Sequence, residues 1–166
     1  MLTNNFKAIL NGLFVFSANT KVSVVGKNGD ESVLTGGTCN YLRNLANCQV
    51  YVTGIDYSGG VYLGSGETPV ARSDYKIDPV KLGNVTYSVN WGLDDSGKPY
   101  TLFSIAYSNN SNQNVKISEI GYFLSVSTVK NLGPVLIDRT LLDSPVVVAP
   151  GESCGIKYKI TNLFDI

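Results

Sequence analysis

Asn84-Val85-Thr86-Tyr87-Ser88-Val89-Asn90-Trp91 alternates without a break. Val85, Tyr87, Val89 and Trp91 fall on one parity, and Asn84, Thr86, Ser88 and Asn90 on the other. Successive side chains of a strand point to opposite faces, so a period of two describes an antiparallel strand with one face buried and one in water. Next comes Asp94-Asp95-Ser96-Gly97-Lys98-Pro99, whose residue types favour a turn. Tyr100 to Tyr107 then returns with Phe103, Ile105 and Tyr107 in phase.

The same pattern continues outward in both directions. Toward the C-terminus, Val115 to Val126 reads as a strand whose apolar parity changes at Ser118-Glu119, as at a β-bulge. Val135 to Leu142 and Val146 to Val148 read as two strands separated by Asp143-Ser144-Pro145. After the turn Ala149-Pro150-Gly151-Glu152, a last strand places Cys154, Ile156, Tyr158 and Ile160 on one parity. Toward the N-terminus, Lys21 to Gly26 and Glu31 to Thr35 flank Asn28-Gly29, the strongest short hairpin signal. Gln49 to Gly54 and Val61 to Leu63 are further short strands, followed by the loop Gly64-Ser65-Gly66-Glu67-Thr68-Pro69. Glycines in such a loop permit positive φ. Ala71 to Pro79 reads as irregular surface chain.

Roughly ten short strands with turn signals every 8 to 12 residues indicate an all-β chain, an antiparallel, jelly-roll-like β-sandwich. Its expected core holds Val85, Tyr87, Val89, Trp91, Phe103, Ile105, Ile120, Tyr122, Leu124, Ile156 and Tyr158. A length of 166 residues suits one domain, expected over residues 19–166, preceded by a distinct segment over residues 1–18. In that segment Phe6, Ile9, Leu10 and Leu13 share one helical face, and Thr3 or Asn4 offers a cap. The competing reading is a secretory signal, with Lys7 before the apolar run and Ser17-Ala18 near a cleavage point. Asn11, Gly12 and Ser17 interrupt the run, which favours the amphipathic helix, and no stretch reaches the roughly 20 apolar residues of a membrane span.

Composition restricts the chemistry. Charged residues are 16%, and thirteen basic residues balance thirteen acidic ones, which does not suggest a nucleic-acid grip. There is no histidine, which excludes Ser-His-Asp and Cys-His catalysis. Cys39, Cys48 and Cys154 have no zinc spacing; Cys39 and Cys48 are close enough in sequence to pair but would stay thiols in a reducing cytoplasm, and Cys154 is a small core residue. Asp94-Asp95 starts like a calcium loop, but no acid recurs at alternate positions and no Glu closes it. Gly64-Ser65-Gly66 is followed by neither Lys-Ser/Thr nor a helix, so it is not a phosphate loop. Asp56, Glu67, Asp74 and Asp78 are the nearest approach to a carboxylate cluster, and loop acids of this kind also form an ordinary solvated rim. No catalytic residue, cofactor or metal is expected. Most aromatic residues sit on the buried parity of strands; Tyr57, Tyr62 and Tyr75, beside the glycine-rich loops, are the exceptions and are expected to face a partner.

Several segments resemble small structural proteins of tailed bacteriophages. They are Gly64-Ser65-Gly66-Glu67-Thr68-Pro69 with Asp74-Tyr75-Lys76-Ile77, and Ile117-Ser118-Glu119-Ile120-Gly121-Tyr122-Phe123. Leu136-Ile137-Asp138-Arg139-Thr140-Leu141-Leu142 belongs with them, as do Asp143 to Glu152, Tyr158-Lys159-Ile160 and the start Asn4-Asn5-Phe6-Lys7. The resemblance implies a non-enzymatic, all-β virion component, made in the host bacterial cytoplasm, in the head (as decoration or auxiliary protein), neck or tail. The implied partners are other virion proteins such as capsid, portal, neck or tail subunits, with repeated copies of the chain itself and neither nucleic acid nor membrane. Phe6, Ile9, Leu10 and Leu13 would dock either on a neighbouring subunit or on the chain's own sheets. The alternative is a carbohydrate- or receptor-binding β-sandwich of a phage fibre or secreted lectin-like module, since aromatic faces stack on sugar rings. As no ion is expected, EDTA should leave the melting temperature unchanged, and a fall of several degrees would reveal an ion site.

Overall fold

A computed structural model describes residues 1, 3–5, 21–35, 50–51, 60–124 and 134–161. It is all-β, with antiparallel sheets and, among the described residues, no complete helix. The chain forms two compact units, Met1–Lys81 with Lys116–Val146, and Leu82–Val115 with Val147–Ile166. The expected helical face from Phe6 to Leu13 and the boundary near residue 18 lie outside the described residues, as does most of Gln49 to Gly54.

In the first unit, β1 (Lys21–Val25) and β2 (Glu31–Thr35) form an antiparallel hairpin. Gly29 lies at φ 87°, as the Asn-Gly signal requires. A second sheet has the order β3 (Val50–Tyr51), β4 (Gly60–Gly64), β7 (Val115–Leu124), β8 (Val135–Val148). The two-residue β3 runs parallel to β4, and β4 is antiparallel to β7 with Leu63 opposite Ile120. From Ile117 to Phe123 every residue is buried, so both parities of β7 are covered. Burial of both faces accounts for the change of apolar parity at Ser118-Glu119. Tyr62, Ile77, Phe123 and Leu136 form a buried cluster, with Tyr62 and Phe123 edge to face at 5.4 Å.

Two expectations are corrected here. Residues 71–79 are not simply surface chain: Ile77 is part of that cluster. Asp143-Ser144-Pro145 does not separate two strands, because β8 runs through it. Among the described residues β8 is the outermost strand of its sheet, and these three residues are exposed, so Pro145 is tolerated without an N–H to donate.

The second unit contains β5 (Asn84–Leu93), β6 (Pro99–Ser108) and β9 (Ser153–Thr161), ordered β5-β6-β9 and antiparallel throughout. The turn joining β5 to β6 is organised by Asp94, whose Oδ1 accepts from Ser96 N, Ser96 Oγ and Lys98 N at 2.9, 2.7 and 2.9 Å. The Ser96 hydroxyl, then the Lys98 amide, hold the Asp94 carboxyl below its ordinary pKa. Register places Val85, Tyr87, Val89 and Trp91 opposite Tyr107, Ile105, Phe103 and Thr101, with Cys154, Ile156, Tyr158 and Ile160 beyond them. On this face Phe103, Ile105, Tyr107, Ile156, Tyr158 and Ile160 are buried, as the alternation suggests.

The expected core is wrong at its starting point. Trp91 is 65% exposed and Tyr87 40%, while Val85 and Val89 are half-buried. Alternation shows that two faces differ; it does not show whether a strand is central or at an edge, and among the described residues β5 is an edge. Ile120 and Tyr122 are buried as expected, and the side chain of Leu124 lies outside the described residues.

Tyr107 Oη donates to Leu82 O at 2.8 Å, and burial, then Cys154, push its pKa up, so it stays a donor at neutral pH. Beside it Gly83 has φ 96°, and a Cβ there would lie 2.6 Å from Ser108 O and from the Tyr107 ring. Gly97, at φ 78°, faces open space. Gly97→Ala should therefore cost about 1 kcal/mol through backbone strain alone, and Gly83→Ala about 3 kcal/mol or more. Equal losses in urea denaturation would show that the close contact at Gly83 is unimportant.

Candidate functional site

Two features stand out: a buried ion cluster in the first unit and an exposed apolar strip in the second. Glu119 lies within β7, is 0% exposed, and accepts three hydrogen bonds. Its Oε1 accepts from the backbone N of Gly66 and Asp78 at 3.0 and 2.7 Å, and its Oε2 accepts from Arg139 Nε at 2.7 Å. Arg139, on β8, donates Nη1 to Asp74 Oδ2 at 2.9 Å and Nη2 to the carbonyl and hydroxyl of Thr68 at 3.1 and 3.0 Å. Burial works against the Arg139 charge, but its bonds to Asp74 and Glu119 and their negative charges outweigh this and raise its pKa.

The cluster pins residues 64–80 beside the sheet. Ser65 N donates to Asp78 O at 2.8 Å, Val80 N to Leu63 O at 2.8 Å, and Ser118 Oγ to Gly66 O at 2.9 Å. The glycines of this loop do not use the positive φ that glycine permits. Neither Gly64 nor Gly66 has positive φ; a Cβ on Gly64 would lie 2.6 Å from Glu119 Cγ, and one on Gly66 would collide with the carboxylate itself. The loop is glycine-rich because a buried glutamate fills the space. Glu67 pairs instead with Lys116 at 2.5 Å, and Asp78 contributes its backbone to the cluster. A polar cleft of about 220 Å³, lined in part by Thr68, Tyr75 and Lys76, opens beside Glu119 and Arg139. Both charged groups are already committed to protein partners, so their evident work is to hold the loop.

Neither Glu119 nor Arg139 was singled out from the sequence. The available signal was a charge inside an apolar strand: Glu119 between Ser118 and Ile120, and Asp138-Arg139 between Ile137 and Thr140. In a chain with few charges, these positions imply buried pairs.

Of the residues expected to meet a partner, Phe6, Ile9, Leu10, Leu13 and Tyr57 lie outside the described residues. Tyr62 is 1% exposed and packed against Phe123, so it presents nothing to a partner; every residue of β4 is buried, which proximity to a glycine-rich stretch does not reveal. Tyr75 is half-buried, with Gly29 of the β1–β2 turn against its ring. Met1 N donates to Arg139 O at 2.6 Å and pairs with Asp138 at 2.9 Å, and Thr3 N donates to Ile137 O at 2.9 Å. Asn5 receives and donates bonds at Val25, at 2.7 and 2.8 Å, so the first described residues are held on β8 and β1 of their own chain.

In the second unit Leu82 and Val147 are exposed singly, whereas three exposed large apolar side chains lie together on β5: Tyr87, Trp91 and Leu93, the last 68% exposed. They share one face, because alternate residues of a strand point the same way. The opposite face of this sheet carries a shallow, open trough of about 690 Å³ lined in part by Thr86, Ser88, Ser104, Ala106, Gly155 and Lys157.

No family model, curated protein or solved structure matches the chain.

If Glu119 and Arg139 act as one unit, Glu119→Gln and Arg139→Met should each cost about 3–5 kcal/mol in urea denaturation, because each leaves a buried partner unsatisfied. The double variant should lose clearly less than the sum. Additive losses would separate the two residues.

Proposed function

We propose that this protein is a non-enzymatic structural component of a tailed-bacteriophage virion, binding neighbouring subunits in the head, as decoration or auxiliary protein, or in the neck or tail. The jelly-roll-like sandwich belongs to the same proposal. The family reading rests on the sequence resemblance. The structural observation that supports it is the exposed strip Tyr87, Trp91 and Leu93 on β5. Water-exposed large apolar groups along one strand face suit contact with another protein. Balanced charge suits it too, because many copies can pack closely without self-repulsion.

One observation favours a second reading. Tyr87 and Trp91 were expected in the core and are instead exposed on a common face, where aromatic rings can stack on sugars. That supports the carbohydrate- or receptor-binding alternative.

Purified phage particles should contain the chain in many copies and retain it in high salt. Contacts made by apolar burial and strand edges do not weaken as exposed charge pairs do, which are screened within about 8 Å at physiological ionic strength. Its absence from particles, with binding of the isolated protein to a glycan array, would favour the second reading; loss of the protein in salt would show an interface held by charge.

A further inference from the structure

β5 has the properties of an edge that joins to itself. Among the described residues no strand pairs with its outer side, since the sheet order is β5-β6-β9. Its ten residues, Asn84–Leu93, include no charged residue and no proline. Exposed edge strands are ordinarily protected by such residues, because their free N–H and C=O groups template further pairing. The opposite edge follows that rule: β9 carries Lys157 and Lys159.

The order of side chains along β5 specifies what would pair with it. In an antiparallel pair of two identical strands, a two-fold axis through Val89 sets Val89 opposite its own copy. Tyr87 then faces the second copy's Trp91, and Val85 faces its Leu93. Every exposed large apolar side chain of the strand meets an apolar one, and Ser88 meets Asn90 on the other face. Moving the register by one residue would place each apolar side chain opposite a polar one. The match is a property of this strand with itself, and its lack of charge leaves neither attraction to a charged partner nor repulsion between copies.

We propose that β5 is a homotypic interface, through which two copies of this chain join antiparallel about a two-fold axis at Val89 to make one continuous six-stranded sheet from two three-stranded ones. The exposed parts of Tyr87, Trp91 and Leu93 amount to on the order of 400 Å² per copy. Doubled, and with the edge backbone added, this gives about 1,000 Å², the lower limit for a specific interface. The dimer is therefore weak, with a dissociation constant on the order of 10 μM. The inference concerns self-association alone and does not depend on the virion reading.

Trp91 is the single tryptophan, so its fluorescence reports on this surface directly. Between about 1 μM and 1 mM, a range spanning the expected dissociation constant, sedimentation should pass from monomer to dimer. Over the same range Trp91 emission should shift to the blue and become harder to quench with acrylamide. Val89→Lys places two like charges on the axis and should give a monomer with an unchanged circular-dichroism spectrum. Val89→Glu should behave alike, and an equimolar mixture of the two should dimerise again. A monomer throughout the range, or an association that Val89→Lys leaves intact in a folded protein, would overturn the proposal. Should the Val89 variants fail to fold, the wild-type Trp91 signal still decides: no change in emission on association means that another surface is used. Trp91 emission that responds to glycans but not to protein concentration counts against the dimer and for sugar binding.

Discussion

A buried carboxylate–guanidinium contact organises the larger unit. Removing two charges from water costs several kcal/mol per ion, and their attraction offsets this only where the remaining hydrogen-bonding positions are also filled. Glu119 and Arg139 fill most of these positions by recruiting loop groups: the amides of Gly66 and Asp78, both oxygens of Thr68, and the carboxylate of Asp74. The requirement to satisfy the ions is therefore also what fixes the path of residues 64–80. It further explains the small residues at positions 64 and 66, where a side chain would occupy the glutamate's space. Segment and ion pair are thus mutually dependent. The segment in turn places Ile77 against Tyr62, Phe123 and Leu136, connecting the polar cluster to apolar burial.

The smaller unit is built differently. Its three strands are joined by backbone pairing and one apolar face, with Phe103 and Tyr158 stacked at 5.8 Å across β6 and β9. A single carboxylate, Asp94, organises the β5–β6 turn from the solvent side. Burial is uneven across this sheet, deep on β6 and β9 and incomplete on β5. That gradient leaves Trp91 and Leu93 in water.

Much of the strand pattern was legible because local chemistry carries it. Asn28-Gly29 and Asp94 to Lys98 are turns in any context, and the alternation from Cys154 to Ile160 corresponds to a strand with one buried face. The errors have a common origin in long-range placement. Trp91 and Tyr87 look like core residues by parity, but their exposure depends on what lies beside β5. Pro145 looks like a strand break, but an outer strand has no need of its N–H. Glu119 and Arg139 are each anomalous in an apolar strand, yet nothing local shows that they are partners, because they lie 20 residues apart. Tyr62 shows the same limit, since its burial comes from strands distant in sequence.

The order of strands also has a temporal side. β6 is paired with β5, its immediate predecessor, but its other neighbour is β9, and Ser108 meets Ser153 across 45 residues. At about 5–20 residues per second, ribosomal synthesis of that interval takes on the order of 2–9 s. During this wait the β5–β6 hairpin can already form, yet Phe103 and Ile105 lack the strand that carries Tyr158 and Ile156. A nascent chain in this state presents an apolar hairpin with two open edges, the kind of surface on which crowded copies misassemble and which chaperones bind. Placing the closing strand late in the chain thus makes the vulnerable period of biogenesis a matter of translation speed.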